Sequence, residues 1–134
     1  MKKRLDDFRT KTEAIDYIVS QEHVTRSDAE KILTREIPKE SYYQTKIIRF
    51  LKERYPKAVV WKAAAGPYSV SGIPDVCMIL DGRFYGFEVK RPFVGSPSRM
   101  QLFMIKKIRD AGGVAGIVTS IREAEELIRE VNAV

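Results

Sequence analysis

Gly72-Ile73-Pro74-Asp75-Val76-Cys77-Met78-Ile79-Leu80-Asp81-Gly82-Arg83-Phe84-Tyr85-Gly86-Phe87-Glu88-Val89-Lys90 is the stretch whose reading decides the fold. Asp81-Gly82 stands between two apolar runs, 76–80 and 83–89, and this dipeptide in that setting predicts a two-residue β-hairpin turn. Asp75 lies as far before the turn as Glu88 lies after it, so folding there brings the two carboxylates opposite each other. Glu88 and Lys90 are two apart, and on a strand their side chains leave the same face. Gly72 permits close approach of a ligand to the backbone. Pro74 removes a donor and biases Ile73 towards an extended conformation, which holds Asp75 at the strand entrance.

Two carboxylates and an ammonium at the open end of a hairpin suit phosphodiester hydrolysis. That reaction uses a divalent cation to polarise the phosphate and lower the pKa of water, and hard cations such as Mg²⁺ take oxygen ligands. The plainer alternative is a cross-strand charge pair on a surface hairpin.

Charge distribution favours a polyanionic partner. The chain of 134 residues carries a formal charge of +6, and positions 41–109 hold 13 Lys+Arg against four Asp+Glu, two of which are Asp75 and Glu88. A basic segment that keeps acids mainly at the proposed metal site attracts nucleic acid. At 44% hydrophobic residues the chain can bury a proper core, and its length fits one domain with a short appendage. The single cysteine, Cys77, excludes an intramolecular disulfide and a cysteine-rich zinc site, and reads as a small buried hydrophobe. His23, the sole histidine, cannot build a zinc site alone and reads as a surface or turn residue. No apolar run approaches the ~18 residues of a membrane span, and no signal-peptide pattern follows the charged N-terminus. The expected location is the cytoplasm of a bacterial or phage-infected host cell.

Around the hairpin, periodicity predicts a helix from about Glu40 to Arg54 with Tyr43, Ile47, Phe50 and Leu51 as its apolar stripe. Glu40 and Gln44 share a face at its start. A strand is expected over 58–61, a loop over 64–71, and a connection over 91–98. A helix opening near Pro97 or Ser98 carries Leu102, Ile105 and Ile108 inward and stops at Gly112-Gly113. Val114 to Thr119 reads as a buried strand. Ser120 and Glu123 form a capping-box signature for a last helix, whose stripe is Ile121, Ala124, Leu127, Ile128 and Val131. Residues 40–134 therefore read α-β-β-β-α-β-α.

The first 39 residues form a separate two-helix extension, one helix over about 5–19 and another from Thr25 or Ser27 to Ile37, closed by Pro38. Their charges nearly cancel, nine basic against eight acidic. No glycine marks the turn between them, so a packing unit or dimer arm is favoured over a DNA-reading helix-turn-helix.

The element order, Gly72-Ile73-Pro74-Asp75, Glu88-Val89-Lys90 and the glutamine-bearing helix together resemble the PD-(D/E)XK nuclease superfamily, and within it the VRR-NUC (virus-type replication-repair nuclease) family. The resemblance covers about positions 40–127. It implies an α/β, restriction-endonuclease-like core with a mixed sheet flanked by helices. It also implies Asp75 and Glu88 as metal carboxylates, Lys90 as the catalytic lysine, the Val89 carbonyl as a further ligand, Glu40 as an acid approaching the metal, and Gln101 as a residue orienting substrate or water. For two of these an ordinary role stays open: Glu40 favours a helix N-terminus, and Gln101 caps its own helix through Ser98-x-x-Gln101.

The expected activity is Mg²⁺-dependent DNA endonuclease cleavage, with Mn²⁺ able to substitute, by in-line attack of water on a backbone phosphate. Lys90 beside two carboxylates is held in its charged form, which suits charge stabilisation and not proton abstraction. A core of this size leaves no room for a target-recognition domain, so the expected substrate is branched, flapped or four-way (Holliday) junction DNA. Symmetric cutting of a junction would take a homodimer. The alternatives are a non-catalytic DNA-binding protein on a nuclease-like scaffold and a nuclease acting on RNA.

Overall fold

The computed structural model describes residues 3–64, 66 and 70–132. A short 3₁₀ turn (Leu5–Asp7) precedes α1 (Lys11–Glu22), α2 (Arg26–Glu36), α3 (Glu40–Arg54), β1 (Val59–Lys62), β2 (Val76–Leu80), β3 (Arg83–Val89), α4 (Arg99–Asp110), β4 (Val114–Val118) and α5 (Ile121–Asn132). From α3 onward this is the expected α-β-β-β-α-β-α order. Part of the loop expected over 64–71, namely residues 65 and 67–69, and the side chain of Val131 in the α5 stripe lie outside the described residues.

The chain divides into two units: residues up to Lys39 with Arg91–Gly95, and Glu40–Lys90 with the residues from Ser96 onward. In the smaller unit the single helix expected over 5–19 is two elements. Thr10 starts α1 afresh, its side chain accepting a hydrogen bond from the Glu13 amide at 3.1 Å, and an N-cap interrupts the chain's earlier turn. His23 ends α1 in the left-handed conformation (φ 54°), the role a glycine usually takes. Thr25 caps α2, and Ile37 and Pro38 follow its end. Arg91 belongs to this unit. Its guanidinium donates to the carbonyls of Thr34, Ile37 and Pro38, which the end of α2 leaves without helical partners.

The larger unit is built on a four-stranded sheet in the order β1-β2-β3-β4. The first two pairings are antiparallel and β3–β4 is parallel, so the sheet is mixed. Asp81 (φ 52°) and Gly82 (φ 77°) both take left-handed backbone, as the twist-matched two-residue hairpin turn requires, and Leu80 pairs with Arg83 across it. Along β3, Tyr85, Phe87 and Val89 face one side. There Ile47 and Leu51 of α3 and Ala124 and Ile128 of α5 complete the hydrophobic core. Gly86 and Glu88 face the other side, where α4 packs chiefly on β3 and β4. The sheet thus sits between α3 and α5 on one face and α4 on the other.

Three local expectations change. Leu102 is not carried inward: it is 49% exposed, and α4 turns Ile105 to the sheet with Gln101, Met104 and Ile108 partly covered beside it. Positions 101, 104, 105 and 108 form the i, i+3, i+4, i+7 stripe that meets the sheet, and Leu102 falls outside it. The capping box at α5 is shifted by one residue. Ser120 accepts from the Glu123 amide, but Glu123 Oε1 accepts from the amide and hydroxyl of Thr119, not from Ser120. Gly72 (φ +80°) serves protein packing: a Cβ there would lie 2.6 Å from the Met100 carbonyl oxygen, so the close approach is to the first turn of α4. Among the described residues no helix is long and apolar enough to cross a membrane.

Candidate metal centre

The hairpin register delivers Asp75. Val76 pairs with Phe87, and one residue further out Asp75 faces the end of β3, where its Oδ2 accepts a hydrogen bond from the Val89 amide at 3.0 Å. The Asp75 carbonyl accepts from the Ala63 amide at 2.8 Å, tying the same residue to the end of β1. Pro74, buried in front of it, fits because Gly86 has no side chain: a Cβ on Gly86 would lie 2.7 Å from Pro74 Cγ.

Glu88 is wholly buried. Its Oε1 accepts from Gln101 Nε2 at 2.7 Å and lies 3.6 Å from Lys90 Nζ, the neighbour that strand alternation puts on the same face. Its Oε2 is also buried and has no hydrogen-bond partner among the described residues. Burial, and then the charge of Asp75, push the Glu88 carboxyl up to about 8, with Lys90 opposing the shift. The same surroundings raise the Cys77 thiol to about 11, through burial first and then Asp75 and Glu88, which leaves it an inert thiol at neutral pH.

The third carboxylate comes from α3. Glu40 is its first residue, and one turn later the buried Gln44 donates from Nε2 to Glu40 Oε1 at 3.4 Å. Glu40, Asp75 and Glu88 each present an oxygen within 4.8 Å of the others. Gln101 makes its helix cap and a bond to Glu88 at once. Its Oε1 accepts from the Ser98 amide at 2.8 Å, completing the capping box of α4, while its Nε2 holds Glu88.

Three carboxylates this close repel one another when all are ionised, and a buried carboxylate oxygen without a partner is costly. A divalent cation would relieve both, and an all-oxygen donor set suits a hard ion. The residues present therefore fit a metal. Gln44, which shares a face with Glu40 at the start of α3, is the residue that holds it.

The mixed sheet thus lies between helices, with an acidic cluster at the open end of its central hairpin. No family model matches the sequence, and no curated protein matches it. Among solved structures, a VRR_NUC domain superposes with a TM-score of 0.52 at 27% identity, covering 65% of this chain and 95% of that one. With the fold, this likeness supports membership of the VRR-NUC family of the PD-(D/E)XK nuclease superfamily.

Proposed function

We propose that the protein is a divalent-metal-dependent DNA endonuclease selective for branched, junction or flap DNA. The observation that carries the metal dependence is the meeting of Glu40, Asp75 and Glu88 within 4.8 Å, with Glu88 Oε2 buried and unpartnered. These three side chains would hold the cation, joined by the Val89 carbonyl. The Val89 amide already faces Asp75, and in a strand the N–H and C=O of one residue point to the same edge. Mg²⁺, or Mn²⁺ in its place, would polarise the phosphate and lower the pKa of the attacking water.

The protein's own side chains divide the remaining work. Lys90 Nζ, 3.6 Å from Glu88, would stand beside a phosphate bound at the acidic cluster, where its ammonium stabilises developing negative charge. Gln101 fixes the rotamer of Glu88 through a bond made from a helix terminus, and Gln44 does the same for Glu40. The basic segment around the site draws in the polyanion. Cutting both strands of a junction calls for two sites, and the proposed working form is a homodimer, with residues 1–39 as a packing unit or dimer arm.

The test is cleavage of labelled linear, flap and four-way-junction DNA, and of matched RNA, in Mg²⁺, Mn²⁺ or EDTA. Metal-dependent cutting of branched DNA is expected for the wild type, and none for Asp75→Ala or Lys90→Ala. Retained cutting by Asp75→Ala would overturn the assignment. Tight junction binding without cutting in either metal would establish a binding protein, and preferential cutting of RNA a ribonuclease.

A further inference from the structure

We propose that Trp61 is a stacking platform for an unpaired nucleobase of the strand being cut. Trp61 pairs with Cys77, and Cys77 pairs with Gly86, so the indole leaves the same face of the sheet as Glu88. It lies one rung from the carboxylates and diagonal to Asp75, a relationship that spans roughly 7–8 Å in a sheet. A base on the indole is thus within one nucleotide of a phosphate at the acidic cluster.

The platform is open and oriented. Among the described residues α4 packs chiefly on β3 and β4, and on the β1 and β2 side of that face Cys77 is buried while Trp61 is 38% exposed, with Ile79 and Val59 on the next rung at 43% and 60%. The indole meets the ring of Phe84 edge to face, with centroids 6.4 Å apart at 61°, which restrains it without stacking on it. Rotamer entropy for such a ring is lost in folding and not at binding.

Charge selects the occupant. A second copy of a +6 chain would set its basic segment against another like it, whereas a nucleotide offers an anion to Lys90 and an apolar ring to Trp61. Bases inside an intact duplex are stacked on their neighbours and offer no free face, so the occupant is an unpaired base at a flap, branch or end. The inference rests on the nuclease reading above and adds to it the feature of branched DNA that is recognised.

Trp61 is the sole tryptophan, so its fluorescence reports the contact directly. In EDTA, titration with single-stranded and flap DNA is expected to quench it saturably, and blunt duplex of equal length to leave it unchanged. Trp61→Phe keeps flap affinity, while Trp61→Leu, which retains apolar packing against Phe84, weakens flap binding about tenfold and blunt-duplex binding not at all. Equal quenching by blunt duplex, or unchanged flap affinity in Trp61→Leu, overturns the proposal. So does a dimer that becomes a monomer in Trp61→Leu by sedimentation, because the face then belongs to a second copy. Quenching by flap DNA without cutting in Mg²⁺ or Mn²⁺ sinks the nuclease reading alone, and cutting without quenching sinks the stacking alone.

Discussion

Gln101 Nε2 donates to Glu88 Oε1 at 2.7 Å while the other end of the same amide closes the cap of α4. One side chain therefore couples the start of a helix to the buried carboxylate on β3, and the two roles separate by mutation. Ser98→Ala removes only the cap and is expected to lower stability by about 1 kcal/mol with cleavage retained. Gln101→Ala loses both bonds and frees Glu88, so stability falls by a similar amount and kcat falls at least tenfold. Gln101→Glu keeps the cap acceptor but faces Glu88 with a like charge, and is expected to be as inactive as Gln101→Ala with the cap intact. Thermal melts beside single-turnover cleavage distinguish the three.

The raised Glu88 carboxyl makes metal-free stability depend on pH in an unusual direction. Glu88 titrates at about 8 in the fold against an ordinary 4.5. Between those values the folded protein holds a proton that the unfolded chain has released, so stability falls as pH rises through that window and levels off above it. Metal binding requires the ionised carboxylate and releases that proton. The metal-free Tm should drop from pH 5 to 8 more in the wild type than in Glu88→Gln, and the Tm gain from Mg²⁺ should be larger at pH 8 than at pH 6. A gain of the same size in Glu88→Gln would place the ion elsewhere.

The hairpin was legible because local chemistry decides it. Asp81-Gly82 selects the turn, the turn sets the register, and the register places Asp75 opposite Glu88 and Lys90 beside it. What could not be read lies in contacts between elements distant in sequence. Gln101 as cap is legible along the chain, whereas its second bond, to Glu88, comes only from the placement of the α4 terminus over β3. Leu102 fits an inward stripe along the sequence because spacing alone does not say which edge of an amphipathic face meets the sheet; in the fold that face centres on Ile105, with Gln101 at its edge and Leu102 outside it. Gly72 was read for ligand approach, and a glycine's freedom does not reveal that a carbonyl of α4 occupies the space.

The two glycines around Pro74 should be far less tolerant than the glycine of the turn. A Cβ at Gly86 would meet Pro74 Cγ at 2.7 Å, and one at Gly72 would meet the Met100 carbonyl at 2.6 Å from a left-handed residue, whereas Gly82 has open space and only its positive φ to lose. Gly82→Ala is expected to cost about 1 kcal/mol. Gly86→Ala adds overpacking of about 1–3 kcal/mol, and Gly72→Ala adds that to its backbone cost. Because Pro74 leads directly into Asp75, the latter two variants should also lose metal affinity out of proportion to their stability, measured by calorimetric Mn²⁺ titration below their melting transitions. Gly82→Ala should bind Mn²⁺ as the wild type does.

Arg91 follows Lys90 in the chain, yet its guanidinium is spent on the carbonyls of Thr34, Ile37 and Pro38 at the end of α2. A cation there satisfies acceptors that the helix leaves open and complements the negative end of its dipole. Removing it strands the partly buried carbonyls of Ile37 and Pro38, so Arg91→Ala should weaken the helical unit by about 2 kcal/mol. Lysine offers a point charge and cannot fork to three acceptors, which makes Arg91→Lys intermediate and not silent. Hydrogen exchange resolves where the loss falls. Amides of α1 and α2 should exchange faster in Arg91→Ala while those of β2 and β3 hold their wild-type protection. Equal acceleration in both sets would show that the two units unfold as one, and that Arg91 stabilises the whole chain and not the helical unit alone.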